Sequence, residues 1–342
     1  MCTTRFSIPV TLCLLFLASA CTTIVPPHAK LELLFTRIAD VGPGGLTEGP
    51  AVAKDGSIYF TDIPFGENKG MILRFDPKTN QTTVFAEDSG KANGLIFDSE
   101  GYLIACEGSD GGGRQVSRWD VNSGEKTTVA DSYQGKKFNA PNDLCVDDEG
   151  RIYFTDPRYL GKAPRELEHQ AVYRVEKDGR VIEITHEVTK PNGIALSPDG
   201  RTLYVANHDN GTDDLDDVDA KPGPMTIYSF PLDSNGKVSG KRRTLVDYGE
   251  EVGCDGMTVD RMGNVYLTAR SEKRHGVQII SPIGNEIGFI PTGAANANVG
   301  MPSNVEFGVG KERNVLYVTV DKSLYRVRLD VAGYHRQYKS DK

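Results

Sequence analysis

The chain has 342 residues, 38% of them hydrophobic and 25% charged, which is ample material for a sizeable core. Asp and Glu outnumber Lys and Arg by 47 to 39, and the formal charge of −8 excludes the basic footprint of a nucleic-acid binder. Usage of 37 Gly and 18 Pro favours many short strands joined by tight turns.

In chain order, residues 1–20 carry one charge, Arg5, and an apolar run over 8–17 that is too short to span a bilayer. The run closes with Leu17-Ala18-Ser19-Ala20-Cys21, which is similar to a lipoprotein signal. It predicts cleavage before Cys21, acylation of that thiol, and an exported protein anchored in the periplasm or cell envelope; simple secretion is the alternative. Residues 21–30 then form a short tether. Cys2 and Cys13 leave with the leader, and Cys106, Cys145 and Cys254 remain. An odd number without C-x-x-C spacing argues against a disulfide framework or a zinc site, so these thiols are expected to be buried small hydrophobes.

A spare strand over 31–38 precedes an internal repeat. Each copy opens on a small polar residue, alternates, turns at Asp-Gly or a similar pair, and returns as Φ-Tyr-Φ-Thr/Ala. The openings are Glu48, Asn93, Asn142, Asn192, Asp255 and Ser303 (or Asn304), spaced by 45, 49, 50, 63 and 48 residues. Two more strand candidates lie between copies. Four short strands per repeat of about 40–50 residues is the signature of a propeller blade. The expected fold is therefore all-β: one six-bladed β-propeller over 31–330, whose last blade is completed by the N-terminal strand, with a tail at 331–342.

In such a ring the opening residues gather at one end of the central channel. The loops 62–70, 107–115, 156–170, 207–225 and 270–276 reach the same face and wall its mouth. Two carboxylates and several amides, without His or Cys, suit a hard cation taking oxygen ligands, Ca2+ first with Mg2+ and Mn2+ as alternatives; the borderline ion Zn2+, which prefers thiolate or imidazole, is a further alternative that this ligand set does not favour. The bland alternative is a channel capped around water. Asp143 follows Asn142, so strict alternation sends its side chain to the other face unless the strand starts irregularly. In the loops, Arg114 and Glu107 flank a glycine-rich run, and His208 and His275 could orient a ligand. His169 and His186 offer no constellation. The acid run at 213–219 lacks the EF-hand pattern, and no G-x-S-x-G elbow occurs.

Several motifs in order, Glu48-Gly49-Pro50, Asn139-Ala140-Pro141-Asn142-Asp143, Pro191-Asn192-Gly193 with Ser197-Pro198-Asp199-Gly200, and Asp255-Gly256-Met257, resemble the senescence marker protein/gluconolactonase family of six-bladed propellers. The resemblance covers about 31–330. It implies one divalent metal ion, usually Ca2+, held by Glu48, Asn192 and Asp255, with Asn142 at metal or substrate. It implies lactone hydrolysis, the ion polarising the carbonyl and Asp255 assisting the attacking water. Asn142, Asp143, Asn139, Arg114 and His208 are then the substrate-binding candidates. One position departs: animal sugar-lactone members carry Arg where Ala140 stands. The alternatives are a phosphotriesterase or other ester hydrolase on the same centre, and a ligand-binding propeller without catalysis. The expected partner is a small lactone or ester, with membrane contact only through the anchor.

Overall fold

A computed structural model describes residues 23–37, 45–64, 66, 68–108, 111–161, 164–213, 217, 219–292 and 300–338. The leader and Cys21 lie outside these residues, as do 214–216 and 218 of the acid run.

Each copy of the repeat becomes an antiparallel four-stranded sheet. Blade 1 comprises Leu46–Val52, Ile58–Ile63, Met71–Asp76 and Gln81–Ala86. Blade 2 comprises Ala92–Phe97, Leu103–Glu107, Gln115–Trp119 and Lys126–Ala130. Blade 3 comprises Leu144–Val146, Ile152–Asp156, Ala171–Val175 and Val181–Thr185, and is preceded by a small hairpin, Ser132–Tyr133 with Lys136–Lys137. Blade 4 comprises Pro191–Leu196, Thr202–His208, Met225–Pro231 and Arg243–Asp247. Blade 5 comprises Cys254–Val259, Val265–Ala269, Gly276–Ile280 and Glu286–Pro291. Blade 6 has only Pro302–Phe307, Val315–Val320 and Ser323–Arg328 of its own, and Glu32–Thr36 pairs antiparallel with the last of these as its outer strand. The spare N-terminal strand thus closes the ring and covers the edge that blade 6 would expose. Arg326 grips Glu32 through two hydrogen bonds of 2.8 and 3.0 Å, and a buried Arg37–Asp62 ion pair carries the closure on to blade 1.

The repeat pattern shows why these strands stack. The motif tyrosines Tyr59, Tyr153, Tyr204, Tyr266 and Tyr317 are all buried. Tyr59 meets Phe97 of the next blade edge-on at 5.2 Å, and Tyr266 meets Phe307 in the same way at 5.0 Å. The hydrophobic core therefore lies between neighbouring blades, and the channel is left to polar groups. Cys106, Cys145 and Cys254 are free and buried, as expected, and burial pushes each thiol up.

The turns at the end opposite the mouth repeat one piece of chemistry. Asp98 Oδ1 accepts the amides of Glu100 and Tyr102, Asp147 Oδ1 those of Glu149 and Arg151, and Asp260 Oδ1 those of Met262 and Asn264. Each carboxylate satisfies donors that a tight turn leaves over.

The segment expected as a tail lies across this far end. Tyr334 N donates to Val259 O of blade 5, and His335 Nε2 is 3.1 Å from Gly308 O of blade 6. Arg336 reaches Asp148 after the inner strand of blade 3 (2.6 Å) and Ser197 O of blade 4. Tyr338 Oη donates to Val52 O of blade 1 at 2.9 Å. At the other terminus, Ile24 O accepts Asp330 N, and Ile24 and Val25 pack on the core of blades 5 and 6.

Candidate active site

The inner strands do not begin on the ring residues. They start one or two residues earlier, at Leu46, Ala92, Pro191, Cys254 and Pro302, and their pairing register then shifts. The shifts fall between Glu48 and Ala51, Ala92 and Leu95, Pro191 and Ile194, Cys254 and Met257, and Pro302 and Asn304. A bulge re-aims the side chains that follow it; in blade 6 it leaves Ser303 fully buried, its Oγ donating to Thr47 O of blade 1, and not open to the channel. In blade 3 the irregular stretch precedes the strand. Asn142 N donates to Thr155 O and Thr155 N to Asp143 O, so pairing continues through Asn142 and Asp143.

This irregularity settles the orientation of Asp143. Strict alternation would turn it away, but it joins the channel: its carboxylate accepts Leu144 N at 2.9 Å and Ile194 N at 3.3 Å. The residue after the ring residue is Gly in four blades, Gly49, Gly94, Gly193 and Gly256, and it is Asp143 or Asn304 in blades 3 and 6. Those blades face each other across a six-membered ring, and the Asn304 carboxamide lies near enough to Asp143 to favour its charged form. The glycines make room for that pair. A Cβ on Gly94 would fall 2.5 Å from Asp143 Oδ1, and one on Gly256 would fall 2.2 Å from Asn304 Oδ1.

Three carboxylates share this space. Burial, and then the negative charges of Asp255 and Asp143, push the Glu48 carboxyl far up. Burial is also the main cause that lifts Asp143 to about 7, with Asp255 adding to it. Asp143 is tied through both oxygens, whereas Glu48, Asp255 and Asn192 are each tied on one side only. Glu48 Oε2 accepts Gly49 N at 3.0 Å. Asp255 Oδ2 accepts Arg270 Nη1 at 3.0 Å, and the same nitrogen donates to Pro302 O. Asn192 Nδ2 donates to Tyr159 Oη at 3.0 Å. Among the described residues, Glu48 Oε1, Asp255 Oδ1, Asn192 Oδ1 and the Asn142 carboxamide accept no hydrogen bond. Four side chains thus present open oxygens beside crowded carboxylates, a set that fits a hard divalent cation. Among the described residues no three His, Cys, Asp or Glu side chains converge as a metal-holding group, here or elsewhere, so the amide oxygens of Asn142 and Asn192 are needed to complete the set.

The other candidates divide. His208 lies beside the centre: Nδ1 is 3.0 Å from Cys254 O, and burial lowers its pKa despite the nearby Asp255 charge. Asn139 and Arg114 shape the entrance. Asn139 N and Ala140 N donate to the two oxygens of Asp156, both at 2.8 Å, and Asn139 Nδ2 reaches Asp156 O and His169 O. Burial lifts Asp156 to about 7. Arg114 Nε donates to Phe138 O at 2.7 Å, which ties the blade 2 loop to that turn. Glu107 is a buried partner of Gln115 and Lys126. His169 and His186 stack on each other at 4.3 Å.

Two residues beside the centre escape the repeat pattern. Arg270 follows the second strand of blade 5, and Tyr159 sits in the blade 3 mouth loop. An aromatic or cationic residue just after a second strand is the signal that could have marked them. Beside Tyr159, between the loops of blades 3 and 4, opens a cavity of about 570 Å³ lined by Arg165, Gln170, Lys190 and Asp209.

Comparison with known proteins gives the same frame. Residues 46–322 match the SMP-30/gluconolactonase/LRE-like region model. The gluconolactonase of Zymomonas mobilis is 31% identical over 310 residues, covering 84% of this chain and 79% of that protein. A lactonohydrolase of Aspergillus oryzae is 26% identical, covering 92% of this chain and 74% of that protein. The structure of a gluconolactonase from Xanthomonas campestris superposes with a TM-score of 0.72 at 26% identity, over 90% of this chain and 92% of that one. A calcium-binding regucalcin from Agrobacterium tumefaciens shares the fold at 19% identity and a TM-score of 0.65. With the motifs, the six blades and the matched span in agreement, the chain belongs to the SMP-30/gluconolactonase/LRE-like family.

Proposed function

We propose that the protein hydrolyses a lactone at the mouth end of its channel, with one divalent cation, Ca2+ by preference, held by Glu48, Asn142, Asn192 and Asp255. The observation that carries this reading is the set of open side-chain oxygens beside mutually repelling carboxylates, in a chain similar to gluconolactonases over most of its length. Bound there, the cation would polarise the lactone carbonyl and stabilise the charge that develops on its oxygen.

The chain's own groups supply the rest. Arg270 fixes Asp255 through Oδ2, so Oδ1 is the oxygen that orients the attacking water and takes its proton. Water adds to the carbonyl carbon, the ring C–O bond breaks, and one water proton passes to the departing ring oxygen, giving a hydroxy acid whose carboxyl releases the other proton to solvent. Asn142 faces the substrate's oxygens, carried by the Asn139–Ala140 turn that Asp156 holds in place, and His208, kept neutral by burial, is an acceptor for a substrate hydroxyl. Ester or phosphotriester turnover on the same centre is the second reading. Residues 1–20 with Cys21 complete the proposal as an export leader and lipid anchor; palmitate labelling that survives Cys21→Ser would remove the anchor.

The test is a substrate panel of sugar lactones, aliphatic lactones, aryl esters and phosphotriesters, run on chelator-treated and Ca2+-reloaded protein. Lactone turnover that needs the ion and fails in Glu48→Gln and Asp255→Ala is expected. Wild-type rates in both variants would overturn the mechanism.

A further inference from the structure

Tyr159 occupies an unusual junction. Its phenol Oη lies 3.0 Å from the carbonyl oxygen of His208 and 3.0 Å from Asn192 Nδ2. A phenol has one proton, and a carbonyl oxygen can only accept. The proton therefore points to His208 O, and the oxygen lone pair is what faces Asn192. Only an N–H can be presented to it. The carboxamide of Asn192 is thus locked with Nδ2 toward Tyr159 and Oδ1 on its other side, where it meets no donor among the described residues.

The phenol is itself held from several sides. Its ring packs edge-on to His208 at 6.0 Å, and Lys190 Nζ lies 5.1 Å from the ring centroid. Lys190 is pinned by Asn210 Oδ1 and Thr212 O, both at 2.7 Å. His208 is anchored in turn by its main-chain amide on Lys190 O and by its ring against Cys254 O, next to Asp255. A residue from the blade 3 loop therefore governs a side chain of blade 4 and is braced toward blade 5.

We infer that Tyr159 is a positioning residue: it fixes the sense of the Asn192 carboxamide so that an oxygen, and not an N–H, faces the cation. Without the phenol oxygen the amide can turn over, and its wrong end repels a positive charge. The inference rests on the proposed metal centre.

The experiment is calorimetric titration of chelator-treated protein with Ca2+. Tyr159→Phe should weaken Ca2+ binding roughly 10- to 100-fold, the cost typical of losing a partner that orients a ligand, while the melting temperature without Ca2+ stays near that of the wild type. A second background separates orientation from general support. Asn192→Asp offers an oxygen whichever way it turns, so adding Tyr159→Phe there should change the affinity less than about twofold, against the 10- to 100-fold loss expected with Asn192 in place. Wild-type affinity in Tyr159→Phe, or an equal penalty in both backgrounds, would overturn the role of Tyr159. A wild-type protein that takes up no Ca2+ would overturn the metal centre itself, and this inference with it.

Discussion

The two ends of the channel are built from the same repeat and use it differently. At the far end, Asp98, Asp147 and Asp260 make the same pair of amide contacts in three different blades. At the mouth, matched positions hold Glu48, Asn93, Asn142, Asn192, Asp255 and Ser303, and the partners of Glu48, Asn192, Asp255 and Ser303 all differ. Where the copies agree, the chemistry serves turn formation. Where they diverge at matched positions, several groups satisfy no local need and leave an oxygen open. The mouth also gathers carboxylates that raise one another, whereas at the far end Glu306 is raised by burial and eased by His335, with no second carboxylate beside it among the described residues.

That contrast can be broken from the mouth first. Glu48→Gln and Asp255→Ala should each cost about 10²- to 10³-fold or more in kcat/KM, the worth of several kcal/mol of charge stabilisation. Far-ultraviolet dichroism should stay unchanged, because neither side chain supports a strand. At the far end the effect should invert. Arg336→Ala removes the contacts to Asp148 and Ser197 O and should lower unfolding free energy by about 2–3 kcal/mol in urea melts, with kcat preserved.

A pH series sharpens the electrostatic half. Asp143 and Asp156 are raised from 3.8 to about 7, chiefly by burial. The folded chain therefore holds protons that the unfolded chain has already released. Their contribution is fully present below about pH 4 and is lost as pH rises through about 7. In chelator, the melting temperature should fall across that window, and more shallowly in Asp143→Asn. The smallest effect belongs to a single far-end turn: Asp98→Ala should cost about 1 kcal/mol and leave turnover intact.

Much of this molecule was legible in its sequence. The repeat spacing fixed six blades, the missing outer strand of blade 6 pointed to the N-terminal strand, and the opening residues marked the ring. The bulges were not legible, because alternation assumes a regular strand, and so the orientation of Asp143 stayed open. The repeat marks Asn304 only as an alternative opening of blade 6; its correspondence with Asp143 shows on reading the position after the ring residue down the six copies, where these two alone replace glycine. Tyr159 and Arg270 could not be placed in that way. They stand at loop starts whose paths depend on neighbouring blades and not on the repeat.

The C-terminal segment has a mechanical meaning. It joins the far ends of blades 1, 3, 4, 5 and 6, which lie far apart along the chain. Opening one seam between blades then also strains the contacts that this segment makes with the others, so the ring yields as a unit and not blade by blade.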